Sequence, residues 1–281
     1  MKTLLAVGCS FTNKNYKSDE HPEMDCSWPK WPEIVGKKLG YEVVNLGTNG
    51  AANDNIMRSA QDYMAEHKVD MVCALWTEPF RLNIHDTYHA NWYAYLRRDA
   101  RSITGSKRYG VKTFHLNASK PLVDHIELAK RLCRTDDHTY VASEELRHIH
   151  TLDVIGKSHN IPVYHMHGCT LWKNHMYQTA SVVLGDNITQ KEKNEKFKMW
   201  LRAFVRSPYF SILDKQTNIY GWPLLQELEG SLYVDGGWSL GSHTWKEMQA
   251  LTLKYRISDK DSHPNAPGQK IIANRFMGII K

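Results

Sequence analysis

Two stretches, one near each end of the chain, hold the groups that covalent acyl chemistry needs. Val7-Gly8-Cys9-Ser10-Phe11-Thr12 presents a serine directly after an apolar run, and Asp261-Ser262-His263-Pro264-Asn265 presents a carboxylate and a histidine. A serine hydroxyl is a weak nucleophile until a base takes its proton, and that base needs a third group to fix its tautomer. Ser10, His263 and Asp261 are the residue types for those three roles. Taken alone, Ser10 reads better as a helix cap, because serine leads at N-cap positions. The histidine and carboxylate at the far end give it a chemical reading.

Lys2-Thr3-Leu4-Leu5-Ala6 is too short for a membrane span and reads as a buried parallel strand. Gly8 is expected to let the backbone turn there, which leaves Ser10 and Thr12 past the carboxyl end of the strand. Ligands of open α/β sheets bind at that end. A helix follows, with Trp31, Ile34, Val35 and Leu39 on one face and Gly40 as its stop. Residues 41–46 form a second strand, and Gly47-Thr48-Asn49-Gly50-Ala51-Ala52 a tight loop. Asn53 or Asp54 then caps a helix that buries Ile56, Ala60, Tyr63 and Met64. Residues 69–75 form the third strand, which ends at Trp76-Thr77-Glu78-Pro79. The alternation predicts a parallel α/β sheet with right-handed crossovers.

Residues 83–120 are rich in Tyr, His, Arg and Asn and have no clean period. They read as an insertion over the carboxyl ends of the strands. Two helices should follow, one carrying Leu122, Ile126, Ala129 and Leu132, the other starting near Ser143-Glu144-Glu145, whose carboxylates suit an amino end. Residues 160–166 form a fourth strand. Thr189-Gln190-Lys191-Glu192 is a capping box, and behind it Phe197, Trp200, Leu201 and Phe204 share one helical face that suits core better than ligand. About 170–257 is an elaboration with no clear assignment beyond a turn at Asp235-Gly236-Gly237 and a helix near 245–255. The last helix, after Pro267-Gly268, packs Ile271, Ile272, Phe276 and Ile279.

The 281 residues suffice for one elaborated domain, 1–281, and at 42% hydrophobic and 23% charged they can bury a sizeable core. No stretch of 18 apolar residues exists, and the first apolar run is too short for a secretory signal, so a cytoplasmic protein is expected. The net charge of +6 comes without a block of like charges, and Lys191-Glu192-Lys193-Asn194-Glu195-Lys196 alternates in sign, so neither nucleic acid nor membrane is an expected partner. Five scattered cysteines without a CxxC pair argue against a zinc site or a disulfide framework and fit a reducing compartment, with Cys73 a small core residue. His165-Met166-His167 has metal-ligating types but reads better as a strand ending, so no metal or cofactor is expected. Nucleotide binding by the Gly47–Gly50 loop is disfavoured, because the first strand lacks G-x-G-x-x-G and no Walker pattern occurs.

Three blocks together resemble the SGNH (GDSL-like) hydrolase superfamily. Gly8-Cys9-Ser10 is similar to its first block, usually Gly-Asp-Ser; Asn45-Leu46-Gly47-Thr48-Asn49-Gly50 to its second; and Asp261-Ser262-His263-Pro264-Asn265-Ala266-Pro267-Gly268 to its last. The resemblance implies a flavodoxin-like three-layer α/β/α fold with a parallel sheet, here with a large, mostly helical insertion. It implies Ser10 as nucleophile, His263 as base, Asp261 as acid, and an oxyanion hole begun by the backbone N–H groups of Ser10 and Gly50. The chain departs from the family at three points. Where the family supplies a third donor from an Asn after the third strand, this chain has Trp76-Thr77-Glu78-Pro79. Thr77 and Asn53 are the candidate donors, and Trp76 and Arg81 the candidate substrate contacts. The family's acid commonly lies three residues before the histidine, which here is Lys260; Asp261 lies two before and Asp259 four before. Cys9 replaces the usual Asp and is expected to be buried and inert.

The expected function is hydrolysis of an ester or acyl group, an O-acetylated carbohydrate among the candidates, through an acyl-enzyme. The alternative is a non-catalytic binding or structural protein of the same fold. Compact, divergent versions resemble proteins of tailed bacteriophages, where a virion location and a protein assembly partner would follow.

Overall fold

A computed structural model describes residues 1–77, 138–168, 202, 205–220, 253–261 and 263–281, with only the backbone for 138–142, and also the backbone of four strands between 81 and 115. Four parallel strands form the central sheet: β1 (Thr3–Gly8), β2 (Glu42–Asn45), β3 (Met71–Trp76) and, last in the chain, β8 (Val163–His167). Their order is β2-β1-β3-β8. Parallel strands covered on both faces should read as continuous apolar runs. Leu4, Leu5, Ala6, Val7, Val72, Cys73, Ala74 and Leu75 accordingly have no solvent exposure.

Helices cover both faces. α1 (Trp31–Leu39) packs on α5 (Ala266–Ile279) on one side, and α2 (Asn53–Glu66) on α3 (His138–Ser158) on the other, with the short α4 (Phe210–Leu213) against α3. This is the three-layer α/β/α arrangement expected. α1 buries Trp31 and Val35, and the Trp31 ring stacks on Phe276 of α5 at 4.4 Å. Gly40 ends α1 with φ 70°, a conformation that costs glycine little. Ile56, Ala60 and Met64 of α2, and Ile272 and Phe276 of α5, lie in the core as their periodicity predicts.

The stretch at 83–120, which has no clean period in the sequence, contains strands. Within 81–115 the described elements are strands: β4 (Arg81–Asp86), β5 (Ala90–Tyr95), β6 (Thr104–Ser106) and β7 (Val111–His115). They form a second sheet of order β4-β5-β7-β6, antiparallel except between β5 and β7. Trp92, Tyr93, Tyr95, Thr113 and Phe114 favour strands, and that propensity carries no helical period. Two helix boundaries also move. α3 begins at His138, so Glu144 and Glu145 lie inside it, and α2 begins at Asn53 after an Ala52 cap that offers no side-chain hydrogen bond. The expected helices at 122–132 and 197–204, the Thr189 capping box and the turn at Asp235 lie outside the described residues. Of the helix expected near 245–255, a 3-10 turn at Leu253–Tyr255 is described.

Candidate active site

β1 leads into Ser10. After Gly8 the chain makes one tight turn, with the N–H groups of Thr12 and Asn13 both donating to the Cys9 carbonyl at 2.9 and 3.2 Å. Ser10 sits on that turn and is 8% exposed. Gly8 is needed there for space rather than for turning: it is still in the strand, and a Cβ on it would lie 2.1 Å from Thr12 Oγ1. Gly47 is more confined, since its Cβ would meet Thr12 and Asn13 backbone atoms at 2.5 Å. The Gly47–Gly50 loop therefore lies directly on the nucleophile turn. Asn45 holds the two together by donating to the Thr12 carbonyl at 2.8 Å, and Asn13 donates to Asn49 at 2.8 Å. Gly50 has φ 72°, so the loop requires glycine at that position.

His263 comes from the loop before α5. Ile257 N–H donates to the His263 carbonyl at 2.9 Å, and Asn265 N–H to the Tyr255 carbonyl at 3.1 Å. Pro264 stands between these rungs, opposite Arg256, where no N–H is used. Asn265 does two jobs. Its Oδ1 caps α5 through Gly268 N–H at 3.1 Å, and its Nδ2 donates to the Arg256 carbonyl at 2.8 Å. Gln269, one turn on, is 2% exposed; it accepts from Trp31 N–H at 2.8 Å and donates to the Phe11 carbonyl at 3.0 Å. The base-bearing loop is thus tied to the nucleophile turn through α5.

The three groups meet. The Ser10 hydroxyl lies 2.8 Å from His263 Nε2, and His263 Nδ1 lies 2.6 Å from Asp261 Oδ1. With Nδ1–H donating to Asp261, Nε2 is left to accept from Ser10, which is the tautomer a general base requires. Asp261 is 4% exposed. Burial pushes its carboxyl up, but the hydrogen bond and charge of His263, the Ser18 hydroxyl and the His263 backbone N–H together hold it well below the usual carboxylate range. The carboxylate that faces His263 is therefore Asp261, two residues before it.

The loop of residues 13–27 adds two partners that sequence reasoning missed. The Tyr16 hydroxyl donates to Asp261 Oδ2 at 3.0 Å, and the Ser18 hydroxyl to the same oxygen at 2.5 Å. The Tyr16 ring stacks on His263 with centroids 4.1 Å apart. No signal short of the fold would have found them, because they stand 245 and 243 residues from their partner.

The remaining candidates divide. The backbone N–H groups of Ser10 and Gly50 have no hydrogen-bond partner among the described residues. Gly8 of β1 pairs with Leu75 of β3, so Ser10 and Thr77 each lie two residues beyond the same rung. The Thr77 hydroxyl is buried without a hydrogen-bond partner among the described residues. Asn53 is not an available donor. Its Nδ2 is given to Glu145 Oε2 at 2.5 Å and to the Thr77 carbonyl at 3.1 Å, while its Oδ1 accepts Thr77 N–H at 2.8 Å. Glu145 in turn lies 3.2 Å from His167 Nε2. Asn53 thus clamps the end of β3 from both backbone sides.

Trp76 is not a substrate contact either. It has no solvent exposure, its ring stacks on His165, and its Nε1–H donates to His165 Nδ1 at 3.2 Å. His165 Nε2 lies 3.3 Å from Asp153, so this histidine is committed on both ring nitrogens. Among the described residues no three His, Cys, Asp or Glu side chains could hold a metal ion together. Cys9, Cys26 and Cys73 are buried and in no disulfide, and burial pushes the Cys73 thiol up. The side chain of Arg81 and all of Glu78 lie outside the described residues. No described helix is long and apolar enough to cross a membrane.

Fold and site together define a three-layer α/β protein with a serine, a histidine and an aspartate in hydrogen-bonded sequence at the carboxyl edge of its sheet. No protein-family model and no curated protein matches the chain. Solved structures similar to it include a member of the lipolytic G-D-S-L family from Veillonella parvula, 11% identical, covering 100% of this chain and 98% of that one, with a TM-score of 0.41. A carbohydrate acetylesterase family member from Sinorhizobium meliloti is 12% identical, with coverage of 99% and 97% and a TM-score of 0.41. A catalytic mutant of an acetylxylan esterase from Geobacillus stearothermophilus is 14% identical, with coverage of 99% and 93% and a TM-score of 0.40. Likenesses of this degree assign neither substrate nor activity.

Proposed function

We propose that the protein is a serine hydrolase that cleaves an ester or acyl bond through an acyl-enzyme on Ser10. The observation that carries this is the unbroken series Ser10 Oγ, His263 Nε2, His263 Nδ1, Asp261 Oδ1, with separations of 2.8 and 2.6 Å. In the reaction, Ser10 Oγ attacks the substrate carbonyl as its proton passes to His263. Asp261 stabilises the imidazolium that forms. The oxyanion of the tetrahedral intermediate takes hydrogen bonds from the N–H groups of Ser10 and Gly50 and from the Thr77 hydroxyl, each preorganised donor contributing roughly 3–4 kcal/mol. His263 returns the proton to the leaving alkoxide, and a water then repeats the sequence to release the acid and restore Ser10.

An O-acetylated carbohydrate is the substrate class to test first. Arg81, Trp92, Tyr93 and Tyr95, in a stretch that leaves the sheet at its carboxyl edge, are residue types that stack on sugar rings and bind their hydroxyls. The test is labelling with a fluorophosphonate, followed by hydrolysis of short p-nitrophenyl esters. Stoichiometric adduct on Ser10, lost in Ser10→Ala and strongly slowed in His263→Ala, is the expected result. Absence of adduct in folded protein would overturn it and favour a binding role, including one in a virion assembly.

A further inference from the structure

We propose that Tyr16 and Ser18 are the positioning residues of the Asp261–His263 pair and that their two hydroxyls set how strongly Asp261 draws a proton onto His263. The proposal rests on the reading of Ser10, His263 and Asp261 as nucleophile, base and acid. It starts from the short spacing between acid and base. With only one residue between them, Asp261 Oδ1 accepts from both the His263 backbone N–H, at 2.9 Å, and the imidazole Nδ1–H, at 2.6 Å. One oxygen serves the whole of His263, and Oδ2 is left on a carboxylate that is 4% exposed. An ionised oxygen in that position needs its own donors, since burying a charge unpaired is costly. Tyr16 and Ser18 supply both.

The two residues act on the imidazole in different ways. Ser18 touches only the carboxylate, and its oxygen also accepts His21 N–H at 3.0 Å, which sets the loop. Tyr16 acts on both partners. Its hydroxyl oxygen lies 2.8 Å from His263 Nδ1, and its ring lies over the imidazole at an interplanar angle of 25°. Phe11 meets the imidazole edge-on at 5.3 Å. The ring is thus held on two sides and cannot turn away from Ser10 without displacing Tyr16. Burial first, and the Asp261 charge next, hold the Tyr16 hydroxyl protonated, so it remains a donor. A second latch joins the same loops, because His21 Nε2 lies 2.7 Å from Ser258 Oγ, which accepts Asp261 N–H at 3.0 Å.

The electrostatic consequence has a definite sign. Two hydroxyl donors draw negative charge from Asp261 and weaken its attraction for the imidazolium. Removing either donor leaves the carboxylate more charged toward His263, so the imidazole should hold its proton to higher pH. The titratable groups around the imidazole are Asp261 and Tyr16 in contact, with Asp19 and Cys26 acting on Tyr16 from the same loop.

The test uses the full chain in three forms: wild type, Tyr16→Phe, which keeps the stacked ring, and Ser18→Ala, which leaves Tyr16 in place. The His263 imidazole is titrated by NMR, with its signals assigned by their loss in His263→Ala, and fluorophosphonate labelling of Ser10 is followed over the same pH range. Each variant should raise the His263 midpoint, and the acid limb of labelling should move with it. A lower labelling rate or melting temperature with an unmoved midpoint would make both residues merely structural and overturn the proposal, as would a downward shift. Because the titration needs no turnover, a raised midpoint in protein whose Ser10 takes no label would uphold the positioning role while removing the hydrolase reading.

Discussion

Asp261 Oδ1 faces His263 and Oδ2 accepts from two hydroxyls, so a carboxamide gives up an acceptor in either orientation. If the amide nitrogen of Asp261→Asn turns to His263, it meets the Nδ1–H and drives the imidazole to the tautomer that carries its proton on Nε2. That tautomer cannot accept from Ser10. If the nitrogen turns the other way, it opposes Tyr16 and Ser18. Asp261→Asn should therefore slow labelling of Ser10 by about 10⁴-fold, the size expected for a base in the wrong tautomer. Single-turnover labelling near neutral pH measures this directly. A decrease of less than tenfold would show that Asp261 does not orient His263.

At the scale of elements, the site depends on two loops touching at backbone distance. Gly47 lies against the backbone of Thr12 and Asn13, and backbone cannot give way as a flexible side chain can. Gly47→Ala should destabilise the fold by roughly 1–3 kcal/mol, as overpacking does, and should slow Ser10 labelling by displacing the turn. Urea unfolding and the labelling rate test the two effects separately. The same elements explain what could be read in advance and what could not. The meeting of Ser10, His263 and Asp261 was legible because each ends an apolar run or stands in a short polar block. Asn53 was misassigned as a donor because the Glu145 carboxylate that engages it is 92 residues away. Trp76 was misassigned because an aromatic at a strand end looks the same in sequence whether it faces a cleft or, as here, His165 in the core. The strands of 81–115 were not legible because aromatic and β-branched residues signal strands through propensity and pairing, and pairing partners are not local.

For the molecule as a whole, the ionised groups that matter to stability include one remote from the nucleophile. Burial raises the Asp153 carboxyl, but hydrogen bonds from His165, Lys157 and Asn218 bring it down to about 2. The free carboxylate titrates near ~3.9 in an unfolded chain. A group depressed on folding stabilises the native state above its unfolded value and loses that contribution as pH falls through its folded value. Asp153 should thus contribute on the order of 2 kcal/mol above about pH 4, declining toward pH 2. Urea unfolding of wild type and Asp153→Asn should show a stability gap at pH 6 that narrows as pH falls below 4; a gap independent of pH would count against the assignment. The central sheet also has a temporal side. Ser10 and His263 are separated by 253 residues. At about 5–20 residues per second, a ribosome needs roughly 13–50 s to travel from one to the other. Throughout that interval the emerging chain displays Ser10 without His263, so under the proposed function a newly made molecule is chemically silent until the helix after His263 has docked.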